Sequence, residues 1–73
     1  MDELDVEFIK NIKFLYKKHK LDIEYNIYTH KKEKVTDEYI LQASKGFISS
    51  FTEQVKEYDE EDRELMKIFG YFV

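Results

Sequence analysis

The stretch VTDEYILQASKGFISSFTEQVKEY, residues 35–58, carries the clearest folding signal in this sequence. On a helical wheel its apolar residues gather on one side and most of its charged residues on the other. The side predicted to face a core comprises Ile40, Ser44, Phe47, Ile48, Phe51, Val55 and Tyr58. Thr36 is a suitable N-cap, and Val35 with Ile40 is placed as a hydrophobic staple. The stretch therefore predicts one long helix over residues 37–58.

Shorter helices are predicted on both sides of this stretch. The first covers residues 3–19, where helical spacing is kept by Leu4, Phe8, Ile12, Leu15 and His19. Asp2 is placed to cap it. The last covers residues 60–70, after an acidic start at Asp59 or Glu60. Its apolar side comprises Leu65, Ile68, Phe69 and Phe72.

Residues 21–29 follow a different period, because apolar residues alternate with polar ones there. The alternation from Leu21 to Thr29 predicts an extended segment that is buried on one face. A lone strand leaves its backbone groups unpaired, so this one needs a neighbour. The neighbour is either residues 33–36, folding back across the polar turn HKKE, or the same strand of a second chain. Otherwise the segment is an extended arm or a short helix.

These elements together predict a single small domain over residues 1–73 with a mainly helical α+β fold. The first helix and the long second helix pack antiparallel across the extended segment, and the short third helix closes the core. The alternative is an all-α bundle of three helices in which residues 21–34 form a long loop.

Residue types needed for most catalytic and metal-binding sites are scarce. The chain has no cysteine and two glycines, and its histidines are His19 and His30. Disulfides and thiolate metal sites are therefore excluded, and a glycine-rich phosphate loop cannot be built. No serine stands at a recognisable spacing from a histidine, and neither HExxH nor GxSxG is present. We therefore expect no enzymatic activity, no cofactor and no metal.

Location and origin are indicated only by composition. No apolar run approaches the roughly 20 residues that span a bilayer, and the acidic start MDELDVEF does not resemble a signal peptide. With no cysteine, a cytoplasmic location is expected. The lack of proline and tryptophan beside many Lys, Ile, Tyr and Phe residues is typical of AT-rich coding, as in phage or other mobile elements.

Charge is distributed unevenly along the chain, whose formal net charge is −4. Residues 10–34 contain eight lysines, whereas residues 53–64 are strongly acidic. A lysine stripe on the first helix, with the off-face Phe14, is suited to phosphates and bases or to an acidic protein surface. Candidate partner-binding residues are Lys10, Lys13, Phe14, Lys17, Tyr28, Lys31, Lys32, Glu57, Glu60 and Glu61.

The function that these features favour is binding rather than catalysis. The chain has six Phe and six Tyr residues, more than a domain of this size is expected to bury. We therefore expect a small protein-binding regulator, such as an inhibitor, an antitoxin-like or immunity-like factor, or an adaptor that occupies a partner's surface. A homodimer is a further expectation, because a strand without a partner invites self-association. The alternatives are a nucleic-acid-binding protein that uses the lysine stripe, and a structural subunit of a larger assembly.

Overall fold

Four helices and one short hairpin make up the fold. The computed structural model describes residues 2–26 and 29–70. The elements in chain order are α1 Glu3–Lys18, β1 Tyr25–Asn26, β2 Lys31–Lys32, α2 Asp37–Gln42, α3 Ser44–Gln54 and α4 Glu60–Met66, followed by a 3-10 turn at Lys67–Phe69. The predicted mainly helical α+β fold is confirmed, and the all-α alternative is wrong because β1 and β2 form a sheet.

The ends of α1 follow from its sequence. Its first turn is capped because the Asp2 carboxylate accepts a hydrogen bond of 2.8 Å from the backbone N–H of Asp5. Acidic residues in the first turn and lysines in the last suit the helix dipole. One prediction about its apolar stripe is wrong, since Leu4 is 69% exposed. Within the described residues the packed side of α1 begins at Phe8, whose ring contacts that of Phe69.

The predicted long helix over residues 37–58 is two helices instead of one. Thr36 caps α2 as predicted, since its side chain accepts from the N–H of Tyr39 at 3.1 Å. The helix then breaks at Ala43, whose φ and ψ are −101° and 27°. Ser44 and Gly46, both weaker helix formers than alanine, follow the break at once. Ile40 of α2 and Phe51 of α3 are both fully buried on either side of the break.

The second half of this stretch also ends earlier than predicted, at Gln54. Val55 is extended, with φ −114° and ψ 114°, yet it is buried in the core. Tyr58 packs on the core as well, with its ring stacked on that of Phe51 at 6.0 Å. The periodicity therefore identified the buried side chains correctly, although the backbone that carries the last two is not helical.

The extended segment forms a hairpin within the chain. Its ladder is antiparallel and pairs Tyr25 with Lys32 and Asn26 with Lys31. The N–H of Glu33 continues it by donating to the carbonyl oxygen of Glu24 at 3.0 Å. The neighbour within the chain is thus residues 31–33 instead of 33–36. Ile27 and Tyr28, which the alternating pattern also covers, and Phe72 of the predicted last helix lie outside the described residues.

The core lies where α1 meets the other helices. Its fully buried apolar side chains are Ile12, Leu15, Ile40, Phe51 and Met66. Two buried polar groups fix the helices around it. The hydroxyl of Tyr16 donates to the carbonyl oxygen of Phe47 at 2.7 Å, and the amide of Asn11 donates to that of Leu65 at 3.0 Å. Because both groups are satisfied, their burial does not carry the cost of an unpaired polar atom.

Candidate functional site: an acidic groove beside the hairpin

An open groove lies between the hairpin and helices α2 and α3. Its volume is about 380 Å³. Aromatic and aliphatic side chains form its floor, which we call the apolar floor: Tyr16, Ile23, Val35, Tyr39 and Phe47. Four carboxylates line the same groove, and we call them the acidic rim: Asp22, Glu24, Glu33 and Glu53. No Lys, Arg or His side chain of residues 2–26 and 29–70 lines it.

The rings of the apolar floor are held by one another. Phe47 makes edge-to-face contacts with Tyr16 and Tyr39, at centroid distances of 6.0 and 5.9 Å. Tyr16 is also fixed by its hydrogen bond to Phe47, and burial raises the pKa of its hydroxyl while a hydrogen bond with Ser50 lowers it less. Its phenol therefore remains protonated at neutral pH, and the floor is formed before anything binds.

Two of the tyrosine side chains that line the groove, Tyr25 and Tyr39, are exposed to solvent. They are 44% and 41% exposed, and both line it. The other large apolar side chains that are exposed in the described part of the chain all belong to α1: Leu4, Val6 and Phe14. Tyrosine combines a large apolar ring with a polar tip and is enriched where protein partners make their strongest contacts.

Gly46 opens one wall of the groove. It lies in α3, lines the groove, and has no atom within 4 Å of the place where a Cβ would stand. A side chain introduced there would project into the groove without displacing core atoms. Gly46 is thus a convenient position at which to fill the groove.

The predicted lysine stripe of α1 is exposed but is not wholly unpaired. Lys10, Lys13, Phe14 and Lys17 are all at the surface. Lys13 binds Asp37 of α2 at 2.7 Å. Lys31 and Lys32 are exposed on β2, and Lys32 lies 3.3 Å from Asp22 of the acidic rim. Such exposed pairs are weak, yet they reduce the positive field that a phosphate backbone would meet.

Of the acidic residues predicted near the end of the chain, Glu61 contacts α1. Glu57 is exposed in the connection before α4, and Glu60 and Glu61 are exposed in its first turn. Glu61 lies 3.0 Å from the ammonium group of Lys18. Tyr28, the remaining predicted residue, lies outside the described residues. The structure therefore does not gather the predicted residues into one surface.

Lys18 and the residues around it form a polar cluster that we call the α1–α4 junction: Lys18, His19, Asp59, Glu61 and Asp62. Its centre is Asp62, whose side chain is 1% exposed. The Asp62 carboxylate accepts from Lys18 Nζ at 2.9 Å and from the backbone N–H of Asp59 at 3.2 Å, and His19 Nε2 lies 3.1 Å from both its oxygens. Asp59 caps α4 in return, through a bond of 2.8 Å from the N–H of Asp62.

The pKa values of this junction are shifted in the direction expected for paired charges. Burial alone would raise the pKa of Asp62, but hydrogen bonds from Lys18, His19 and Asp59 together lower it. The pKa of Asp59 is lowered mainly by its hydrogen bond with Lys18. The pKa of Lys18 is raised, chiefly by Asp59 and then by Asp62. The α1–α4 junction is therefore an ion cluster at neutral pH. Its ion pairs join the end of α1 to the start of α4, which is a structural role.

Sequence reasoning missed the groove. None of the acidic rim was among the predicted partner-binding residues, although Asp22 and Glu24 stood in the alternating segment that predicted the strand. The pattern distinguished the polar from the apolar positions of that segment, but it did not show that both would line one groove with α2 and α3. The rim joins residues that are up to 31 positions apart, 22 and 53, and only the tertiary fold brings them together.

Comparisons with known proteins supply no relative. No protein-family model, curated protein or solved structure matched the chain. None of the described helices is long and apolar enough to cross a membrane. No group of three or more His, Asp or Glu residues in the described ranges is arranged to hold a metal ion. The function is therefore inferred from the surface of the molecule, chiefly from the groove beside the hairpin.

Proposed function

We propose that this chain is a non-catalytic protein-binding regulator, of the inhibitor, antitoxin-like, immunity-like or adaptor kind, and that it contacts its partner through the groove. The observation that carries this proposal is the apolar floor with its acidic rim. The exposed rings of Tyr25 and Tyr39 in the groove favour contact with another apolar surface, because covering them releases water from both surfaces.

The chemistry of the groove favours binding over catalysis. Catalysis by acid and base needs two groups in hydrogen-bond reach of a reacting atom, with one of them poised to exchange a proton near neutral pH. In the groove the Tyr16 hydroxyl is already committed to Phe47, and the carboxylates stand at an open, hydrated rim. An open site also leaves reacting groups in water, which weakens electrostatic stabilisation.

Nucleic-acid binding by α1 is less well supported. Lys13 is paired with Asp37, and Lys18 is held by three carboxylates of the α1–α4 junction. The net charge of −4 also opposes approach to a phosphate backbone. A role as a structural subunit and a cytoplasmic location both remain predictions.

The test compares the proteins retained by three baits in affinity purification with mass spectrometry. The baits are the wild-type chain, Gly46→Trp, which fills the groove, and Ser49→Trp, a matched control on the same helix outside the groove. We expect a partner that is retained by wild type and by Ser49→Trp and is reduced at least tenfold with Gly46→Trp. Circular dichroism establishes first that both variants are folded.

A partner retained equally by all three baits would show that the chain binds elsewhere. In that case the groove loses its role, and the outer face of α1 with Phe14 becomes the next surface to vary. Turnover of a substrate by the purified chain would contradict the proposal altogether.

A further inference from the structure

We infer that the groove accepts a short cationic segment of the partner protein, in which one or two bulky apolar side chains are flanked by Lys or Arg. This inference rests on the proposed function and adds the chemistry of the partner. It is carried by the volume of the groove, the fixed rings of its floor, and the placement of its charges.

The volume decides how much of the partner can enter. A groove of about 380 Å³ is near the lower end of the usual range for ligand pockets, roughly 300–1,000 Å³. That volume suits one or two large side chains rather than the whole face of a domain. Because the rings of Tyr16, Tyr39 and Phe47 already hold one another, little ordering of the floor accompanies binding.

The acidic rim decides the sign of the partner's charge. Asp22 is paired with Lys32, at 3.3 Å, but both side chains are largely hydrated. No ion pair within the described ranges involves Glu24, Glu33 or Glu53, so three carboxylates remain for the partner. Lys or Arg on the incoming segment would complement them, whereas acidic flanks would be repelled.

The hairpin adds a more specific argument, because it sets two like charges opposite each other. The register that pairs Tyr25 with Lys32 places Glu24 directly across from Glu33, and both line the groove. Directly opposite residues of an antiparallel pair share a face, and like charges there are destabilising. A cationic side chain bound between them converts this repulsion into attraction. The free protein thus carries a cost that a cationic partner removes.

A selection from random peptides tests the partner's chemistry directly. Twelve-residue peptides displayed on phage are selected against the immobilised full chain alone. We expect the enriched peptides to carry an aromatic or branched aliphatic residue with Lys or Arg within two or three positions. Synthetic copies, followed by fluorescence anisotropy, should bind at least tenfold more weakly to Gly46→Trp and equally well to Ser49→Trp.

The double variant Glu24→Gln/Glu33→Gln separates recognition from folding. It should weaken binding of the same peptides at least fivefold and abolish most of its salt dependence. At the same time the melting temperature of the free protein should rise, because the like-charge pair is gone. A variant that merely disturbed the hairpin would lower both the melting temperature and the affinity.

Several outcomes would overturn the inference. Enrichment of acidic or uncharged peptides would do so, as would no enrichment, or binding that Gly46→Trp leaves unchanged. Sedimentation that shows a dimer, which Gly46→Trp and Phe14→Ser each convert to a monomer, would make the occupant the lysine face of a second copy. A groove-dependent partner that docks through an acidic segment would leave the proposed function standing and reject only the cationic character of the partner segment.

Discussion

Asp62 is the residue on which the attachment of α4 to α1 depends. It stands at the third position of α4, where its carboxylate accepts the N–H of Asp59 and completes a capping box. The same carboxylate is buried and accepts from Lys18, beside His19. The acidic run around residue 60 predicted a helix start. It did not distinguish Asp62 from its exposed neighbours Glu60 and Glu61. Asp62 is buried because the end of α1, with Lys18 and His19, packs against it, and that contact depends on the tertiary fold.

We expect Asp62→Asn to destabilise the protein by about 2 kcal/mol, since a buried charge-assisted acceptor is lost while its donors remain. The change preserves the size of the side chain, so the core beside it is not disturbed. The free energy of unfolding, measured in urea by circular dichroism, gives the size of the effect.

Asp59→Asn is the matched control for this prediction. Asparagine is as good an N-cap as aspartate, so α4 keeps its cap and loses only an ion pair whose Asp59 side chain is 60% exposed. We expect a much smaller loss of stability than with Asp62→Asn. Equal losses from both changes would mean that the whole ion cluster, rather than buried Asp62, joins the helices.

At the scale of the elements, periodicity predicted helices well and their interruptions poorly. The caps at Asp2 and Thr36 and the core side of residues 37–58 agree with the structure. The break at Ala43 could not be predicted, because the apolar spacing continues through it: Ile40 before the break and Phe51 after it are both fully buried. A local change in φ and ψ turns the helix axis without changing which residues are apolar.

The strand was predicted from alternation, but its length was not. Leu21 and Ile23 pack against the core as the pattern requires, whereas the ladder itself covers only Tyr25–Asn26 and Lys31–Lys32. Where the chain turns back depends on the backbone at the turn, and His30 adopts a positive φ of 56° there. Histidine is tolerated at a positive φ, but most histidines adopt other backbone conformations, so the presence of His30 does not predict the turn.

The two glycines give a prediction about the helices, because they have opposite backbone conformations. Gly46 lies within α3 with open space around it, so Gly46→Ala should stabilise the protein by about 0.5–1 kcal/mol. Gly70 ends the last turn with a φ of 81°, where a Cβ is unfavourable. Gly70→Ala should therefore destabilise the protein by about 1 kcal/mol.

Thermal unfolding of the two variants beside wild type measures both effects in one experiment. Each glycine serves as the other's control, since the same methyl group is added at a position with open space around it. Destabilisation by Gly46→Ala would indicate that α3 is not helical at residue 46 in solution.

On the scale of the whole molecule, the uneven charge seen in the sequence becomes two separate features. The basic end of α1 and the acidic start of α4 meet in the α1–α4 junction and neutralise each other. Within the acidic rim Asp22 is paired with Lys32 of the hairpin, whereas Glu24, Glu33 and Glu53 form no ion pair within the described residues. Charge counting by segment directed the predicted partner-binding residues to the lysines and to the acidic run, whereas the groove could be recognised only in the tertiary fold.

The junction makes stability depend on pH in a direction that its pKa shifts define. Asp59 and Asp62 have folded-state pKa values below the ordinary value of 3.8. Below pH 3.8 these two carboxylates bind protons in the unfolded chain while they are still ionised in the folded chain, so acid favours unfolding. Their contribution is complete above about pH 5 and is lost as pH falls through the lowered pKa values. Lys18 acts in the opposite sense, because its raised pKa gives a contribution that is lost only at strongly alkaline pH, above its ordinary value of 10.5.

We therefore expect the difference in unfolding free energy between wild type and Asp62→Asn to be full at pH 6 and to shrink steadily below pH 3.8, because protonation removes from wild type the charge that the variant lacks throughout. Urea unfolding from pH 2 to pH 7 measures this difference. Glu57→Gln, which removes an exposed carboxylate outside the junction, shows how much of the change comes from net charge alone. A difference that stays constant down to pH 2 would mean that Asp62 stabilises the fold by its shape and its neutral hydrogen bonds, and that the ion cluster contributes nothing to the joining of α1 and α4.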